Sequence, residues 1–201
     1  MKEYRINVSE AYARDEKFVR EWQKMLSGEV YDAVYGPFIE LLKATRRKIR
    51  RYNTTDPDDS EALAAQLREL LGACGRQITV NPPFRCDYGC NLYVGENFFA
   101  NFNFTVLDEA PVEIGDNVFI GPNVSIYTAC HPLDPDERRK CVEWAEPVRI
   151  GNDVWIGGST TILPGVTIGD RCTIGAGSVV TRDIPAASLA VGNPCRVIRT
   201  I

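Results

Sequence analysis

One periodicity constrains this chain more than any other feature. Apolar residues recur every six positions: Ile114, Ile120 and Ile126, then Ile150, Ile156, Ile162, Ile168 and Ile174, with Val180 next. Glycine follows many of them, at Gly115, Gly121, Gly151, Gly157, Gly169 and Gly175. Four residues after each apolar residue stands a small or β-branched one: Val118, Val124, Val154, Thr160, Val166, Cys172 and Ser178. Six is neither a helix period nor a strand alternation. It fits short strands, each ending in a sharp corner, wound into a prism. The isoleucine points inward, glycine permits the tight backbone at the corner, and the small residue fills the remaining interior. Hexapeptide repeats of this kind mark a parallel β-helix. A sandwich would place turns roughly every 8–12 residues instead.

The repeat departs from its rule in two places. Val94, Ala100 and Val106 keep the six-residue step, but the next register begins at Ile114, two residues late. The phase therefore slips near Ala110 and Pro111. Between Ile126 and Ile150 the phase holds, yet the core positions would fall on Pro132, Arg138 and Trp144. Residues 127–149 are expected to form an excursion loop, with the polar run HPLDPDERRKCVEW inside it. Long polar loops in compact repeat proteins are often functional. His131 sits at the start of this one.

Residues 1–75 read as helical and residues 76–201 as the coil, which gives a mainly β fold with an N-terminal α-helical region. From Val34 to Ile49 apolar side chains recur at helical spacing, and Arg50 and Arg51 follow at the end that favours cations. NTTDPDDS, residues 53–60, breaks the pattern. Asp58 with Glu61 resembles a capping box for a second helix carrying Leu63, Leu67, Leu70, Leu71 and Cys74. Residues 1–20 carry less pattern and are expected to be helical.

Composition narrows the chemistry. His131 is the one histidine among 201 residues, so a metal site of three imidazoles cannot form within one chain. The net charge of −4 argues against nucleic acid or an anionic membrane as a partner over the whole surface. No apolar run approaches the roughly 20 residues that span a bilayer, and MKEYRINVSEAYARDEKF holds no apolar leader segment. Seven cysteines cannot all pair within one chain, so reduced thiols and a cytoplasmic location are expected.

Several segments are similar to one family. NPPFRCDYGCNLYVGENFFANFNFTVLD (81–108), YTACHPLD (127–134), GNDVWIGGSTTILPGVTIGD (151–170), IGAGSVVTRDIP (174–185) and GNPCRVIR (192–199) closely resemble the galactoside/maltose O-acetyltransferases, hexapeptide acyltransferases. SGEVYDAVYGPF and RRYN resemble that family's N-terminal region, and residues 1–20 read as an addition to it. The resemblance implies a left-handed β-helix, against the usual crossover hand. It implies a homotrimer with active sites between adjacent prisms, acetyl-CoA as donor, a carbohydrate hydroxyl as acceptor and no required metal.

Site residues follow from the same resemblance. An alcohol attacks only as its proton is removed, and histidine, with an ordinary pKa of about 6.5, suits that task. His131 matches the family's catalytic base; taken from the residues alone, a surface-loop histidine is the equal alternative. Asn101 matches the asparagine that contacts the acceptor and the acetyl end of the donor; a corner asparagine with a positive backbone angle is its bland alternative. Asp87 matches an acceptor-contacting position. Glu109 aligns with another, although Asp108 beside it fits the common motif better. A further acidic acceptor contact of some members aligns with Ala33 here, with Asp32 adjacent. Gly158 and Ala176 mark the pantetheine track, Thr181 and Arg182 continue it, and Arg196 and Arg199 match positions that meet the nucleotide phosphates. Trp155 is structural or lines the thioester end. Cys130 offers a covalent route that the family does not use, and Cys86 and Cys90 read as structural thiols. Two competing functions stay open: an acyltransferase with a non-sugar acceptor such as an antibiotic or serine, and a non-catalytic β-helix scaffold.

Overall fold

A computed structural model describes residues 10–201. The six-residue period becomes a three-sided prism of parallel strands. On the first face Val94, Ile114, Ile150 and Ile168 stand in register. On the second, Ala100, Ile120, Ile156, Ile174 and Ala190 do so. On the third the row is Val106, Ile126, Ile162 and Val180. The first and third faces are five-stranded sheets and the second has seven strands. Each face ends in a corner; corner one, two or three follows the face of that number.

The rows fill the interior. Ile120, Ile126, Ile156, Ile162, Ile168 and Ile174 are at most 1% exposed. Each such burial is worth about 1.5–3 kcal/mol. The fifth-place residues are buried with them: Val118, Val124, Thr160 and Ser178 show no exposure. Thr160 and Ser178 donate their hydroxyls to the carbonyls of Gly157 and Gly175 at 2.7 and 2.6 Å.

The corner works differently from the expectation. The glycines one place after the core residue have no positive φ. The left-handed position lies two residues later, at Asn97, Asn103, Asn117, Asn123, Asp153, Ser159 and Arg171. Asparagine and aspartate tolerate that conformation through local hydrogen bonding. Their side chains also run between coils, Asn97 to Asn117 at 2.9 Å and Asn117 to Asp153 at 3.0 Å. The glycines serve close packing instead. A Cβ on Gly115 would stand 2.8 Å from the carbonyl carbon of Gly151 in the next coil. Asn101 lacks a positive φ, so the corner-asparagine alternative does not describe it.

Both departures from the repeat occur where expected. The phase slip lies between the strands Thr105–Leu107 and Val112–Ile114. It buries Asp108, Glu109 and Ala110 rather than looping into solvent. The excursion leaves the third corner after the strand Ser125–Tyr127 and returns at the strand Val148–Ile150.

The N-terminal helices are α1 (Glu10–Ala13), α2 (Glu16–Ser27), α3 (Gly36–Asn53) and α4 (Ser60–Leu70). The helix expected from Val34 to Ile49 begins and ends later, and Val34 is 59% exposed. The α4 cap is Asp59, not Asp58: its carboxylate accepts from the Ala62 N–H, which leaves Glu61 outside a capping box. Cys74 belongs to the strand Ala73–Cys74, the first of the stack, rather than to α4. Within the span 1–20, α1 and the start of α2 are helical, while residues 1–9 lie outside the described residues. Phe18 and Trp22 of α2 are buried against Phe38 of α3 and Tyr88. Meanwhile α3 closes the bottom of the prism with polar side chains. Tyr52 donates to the Val80 carbonyl, Asn53 exchanges bonds with the Phe84 backbone, and Thr45 donates to the Tyr88 carbonyl.

Candidate active site

The excursion folds back on the helical region. Its strand Val142–Ala145 pairs antiparallel with Ala129–Cys130 on one side and with Tyr31–Asp32 on the other. Gly28 makes that pairing reachable: its left-handed φ of 82° ends α2, and its Cα side faces the Ala145 carbonyl at contact distance. The register sets Tyr31 opposite Glu143. The buried Tyr31 hydroxyl donates to one Glu143 oxygen. Burial and then the Glu143 charge push the Tyr31 phenol far above its ordinary range, so it remains a donor. The other Glu143 oxygen lies 3.7 Å from His131 Nε2. The His131 side chain is 54% exposed while Glu143 is 16% exposed, so a nearly buried carboxylate backs an accessible imidazole.

The phase slip supplies a second carboxyl cluster beside this one. Asp108 is fully buried and accepts the backbone N–H groups of Asp87, Tyr88 and Asn91. It therefore shapes the 87–91 turn. Burial pushes it up to about 7, against the pull of those donors. Glu109 is 7% exposed, and its carboxyl is pushed well above the ordinary range by burial first and by a hydrogen bond with Asp87 second. Thr128, at the root of the excursion, ties the slip down by accepting from the Ala110 N–H at 2.9 Å and donating to the Leu107 carbonyl at 2.8 Å. Glu109 and Glu143 both lie close enough to Tyr31 and Tyr88 to raise their phenols.

A groove of about 530 Å³ runs along the second face and its corner. Phe99, Phe119, Trp155, Thr173 and Leu189 stand in successive register along it. Phe119 and Trp155 are 54% and 58% exposed, so Trp155 lines the groove and is no part of the core. Asn101, Gly158 and Ala176 line the same groove. Arg199 pairs with Leu189 at its far end, on the antiparallel strand Arg196–Thr200, and Arg196 lies exposed on that strand. Gly158 has room for no side chain without touching Pro122 at 3.1 Å, and its bare backbone faces the groove.

The comparisons with known proteins agree along the chain. The bacterial transferase hexapeptide family matches residues 147–182, the hexapeptide repeat of succinyl-transferase residues 111–128, and the maltose acetyltransferase capping motif residues 24–75. The galactoside O-acetyltransferase of Escherichia coli K12 is 45% identical over 150 residues, which cover 75% of this chain and 74% of that one. A crystal structure of a maltose O-acetyltransferase from Clostridium difficile 630 superposes with a TM-score of 0.89 at 51% identity, covering 90% of this chain and 97% of that one. A galactoside acetyltransferase in complex with coenzyme A gives a TM-score of 0.87 at 39% identity, covering 90% of each chain. The chain belongs to the galactoside/maltose O-acetyltransferase family.

Within this member of the family the residues expected at the site divide between two edges of the prism. Asn101, Gly158 and Ala176 sit at corner two. Asp87, Glu109, His131, Thr181 and Arg182 sit at corner three, each just after or beyond that face's core row. Thr181 and Arg182 do not enter the groove of their own chain. The sequence did not point to Tyr31 and Glu143 as partners of His131. They are 112 residues apart, and only the pairing of the excursion with the Tyr31–Asp32 strand brings them together. No period in either segment signals that pairing. Cys130 lies beside His131, but burial pushes its thiol up to about 11. No helix among the described residues is long and apolar enough to cross a membrane.

Proposed function

We propose that this protein transfers the acetyl group of acetyl-CoA to a hydroxyl of a sugar or glycoside. The observation that carries the proposal is the accessible His131 backed by Glu143, which accepts from the buried Tyr31, with Glu109 close enough to act on that same Tyr31. One His131 ring nitrogen faces Glu143, which leaves the other for the acceptor hydroxyl. As the acceptor oxygen attacks the thioester carbonyl, His131 takes its proton. The carbon–sulfur bond then breaks, and the imidazolium returns the proton to the departing thiolate. Glu143 stabilises the transient positive charge, and Tyr31 holds Glu143 in place. Asp87 and Glu109 offer acceptor and donor oxygens to sugar hydroxyls, and the Asn101 amide orients the reacting hydroxyl or the acetyl oxygen. Gly158 and Ala176 present backbone to the pantetheine arm, with Trp155 against its apolar length. Arg196 and Arg199 meet the phosphates, and the bound coenzyme A of the similar galactoside acetyltransferase supports that donor. A thiol held at about 11 does not support a covalent route through Cys130.

The split between corners supports a homotrimer in which corner two of one copy faces corner three of the next, with Thr181 and Arg182 reaching the donor across that boundary. Seven free thiols suit the cytoplasm. The test is thiol release from acetyl-CoA across glucosides, galactosides, maltose, amino sugars and serine. A sugar should drive release, and His131→Ala should lower it by about 100-fold or more with the assembly intact. Release driven by serine alone, or full turnover in that variant, would refute the proposal.

A further inference from the structure

A second groove, of about 400 Å³, opens at the bottom of the third face, with Asp87 in its lining. Arg46 and Arg50, one turn apart on α3, line it from the helix, and Arg85 lines it from the first strand of the third face, beside Thr105 in register. Thr105 and Leu107, on the next strand of that face, complete the lining. These three arginines differ from their neighbours. Lys48 and Arg51 both pair with Glu69, and Lys43 pairs with Glu40. Among the described residues no carboxylate lies within ion-pair distance of Arg46, Arg50 or Arg85. Asp87 is the single acid lining the groove, so its walls carry a net charge of about +2 on a chain whose total is −4.

Position separates this charge from the donor's phosphates. Arg199 lies at the opposite end of the stack, on the last strand of the second face. Arg85 lies on the first strand of the third face, paired with the strand that follows Asn101. Coils stack about 4.8 Å apart. A donor running from Arg199 to Asn101 therefore reaches its reactive end before it reaches Arg85. With the donor so placed, the space beyond its reactive end, at Asp87, is left for the acceptor.

We infer that Arg46, Arg50 and Arg85 form an anion subsite of the acceptor pocket, so that the preferred acceptor is a sugar carrying a carboxylate or a phosphate or sulfate ester. The inference rests on the acceptor placement at Asp87 proposed above. Three guanidiniums around one space suit a planar or tetrahedral oxyanion, which each can hold with two parallel N–H donors. Asp87 then reads the hydroxyls between the anion and the reacting oxygen.

The test compares methyl glucoside, methyl glucuronide and glucose 6-phosphate as acceptors for the full-length protein, by initial rates of thiol release. The charged sugar that fits should show a KM about tenfold below that of the neutral one, with the advantage shrinking at high salt. Preference for the glucuronide identifies a carboxylate, and preference for the phosphate identifies an ester; either supports the subsite. Arg46→Gln/Arg50→Gln and Arg85→Gln should each bring the charged-to-neutral ratio toward one. Equal KM values, or a ratio that survives both variants, would overturn the inference. So would dissociation of the assembly in either variant, since the arginines would then serve a subunit contact. If no sugar releases thiol, the proposed reaction has failed, and calorimetric titration with the same three sugars decides the subsite separately. Tighter binding of a charged sugar, lost in the arginine variants, upholds it; equal binding removes it.

Discussion

Glu109 shows the sharpest conflict between charge and burial near the site. Its folded-state carboxyl is raised above the ordinary 4.5 by burial and by Asp87. Above that pH the unfolded chain releases the proton while the folded protein keeps it, so this group's contribution to stability falls as pH rises. Glutamine mimics the protonated acid and has nothing to lose. Urea unfolding should therefore show Glu109→Gln gaining on the wild type as pH rises above the ordinary 4.5. Parallel stability profiles would mean that Glu109 is ionised in the folded protein. At this scale the sequence was readable in part. His131 stood out because it is alone, and Asp87 and Glu109 because motifs flank them. Glu143 and Tyr31 did not, because a side chain's partner across an antiparallel pair of short strands leaves no trace in either segment. The carboxylate seen at 108 as the better motif match is the one that holds the turn together.

The corner of the coil is the element where period and geometry part company. Six-residue spacing was legible because every sixth side chain must be apolar to enter the prism. The reason for glycine was not, since sequence cannot distinguish a glycine needed for φ from one needed for room. The structure separates the two. Gly115→Ala pushes a Cβ to 2.5 Å from the Asn152 side-chain oxygen and 2.8 Å from backbone, and should cost about 1–3 kcal/mol. Asn117 carries the left-handed φ of 57°, so Asn117→Ala should cost about 1 kcal/mol and Asn117→Gly less. Denaturant midpoints measure both. Equal losses for Ala and Gly at 117 would show that the inter-coil side-chain bonds, rather than the dihedral, set the cost. The helix limits were less legible than the coil. Val34 keeps helical spacing with Phe38 but belongs to the turn before α3, where nothing covers it.

At the scale of the whole molecule, the proposed division of the site between two corners calls for two copies. His131→Ala and Asn101→Ala should each be inactive alone. Mixed at equal amounts during refolding or co-expression, about one boundary in four would join an intact His131 to an intact Asn101. Activity near a quarter of wild type, in a species about three times 22.4 kDa, is the expected outcome, and none at all would place both residues in one chain's site. The two ends of the prism carry a different consequence. At the bottom, α3 occupies the carbonyls of Val80, Phe84 and Tyr88. At the top, the strand Arg196–Thr200 runs opposite to its neighbour. A stack of identical parallel layers is a template for its own extension, as fibrils are. Here one terminus is plugged by side chains and the other is finished by a strand of the wrong sense, so a fold that could grow without limit stops at a fixed height.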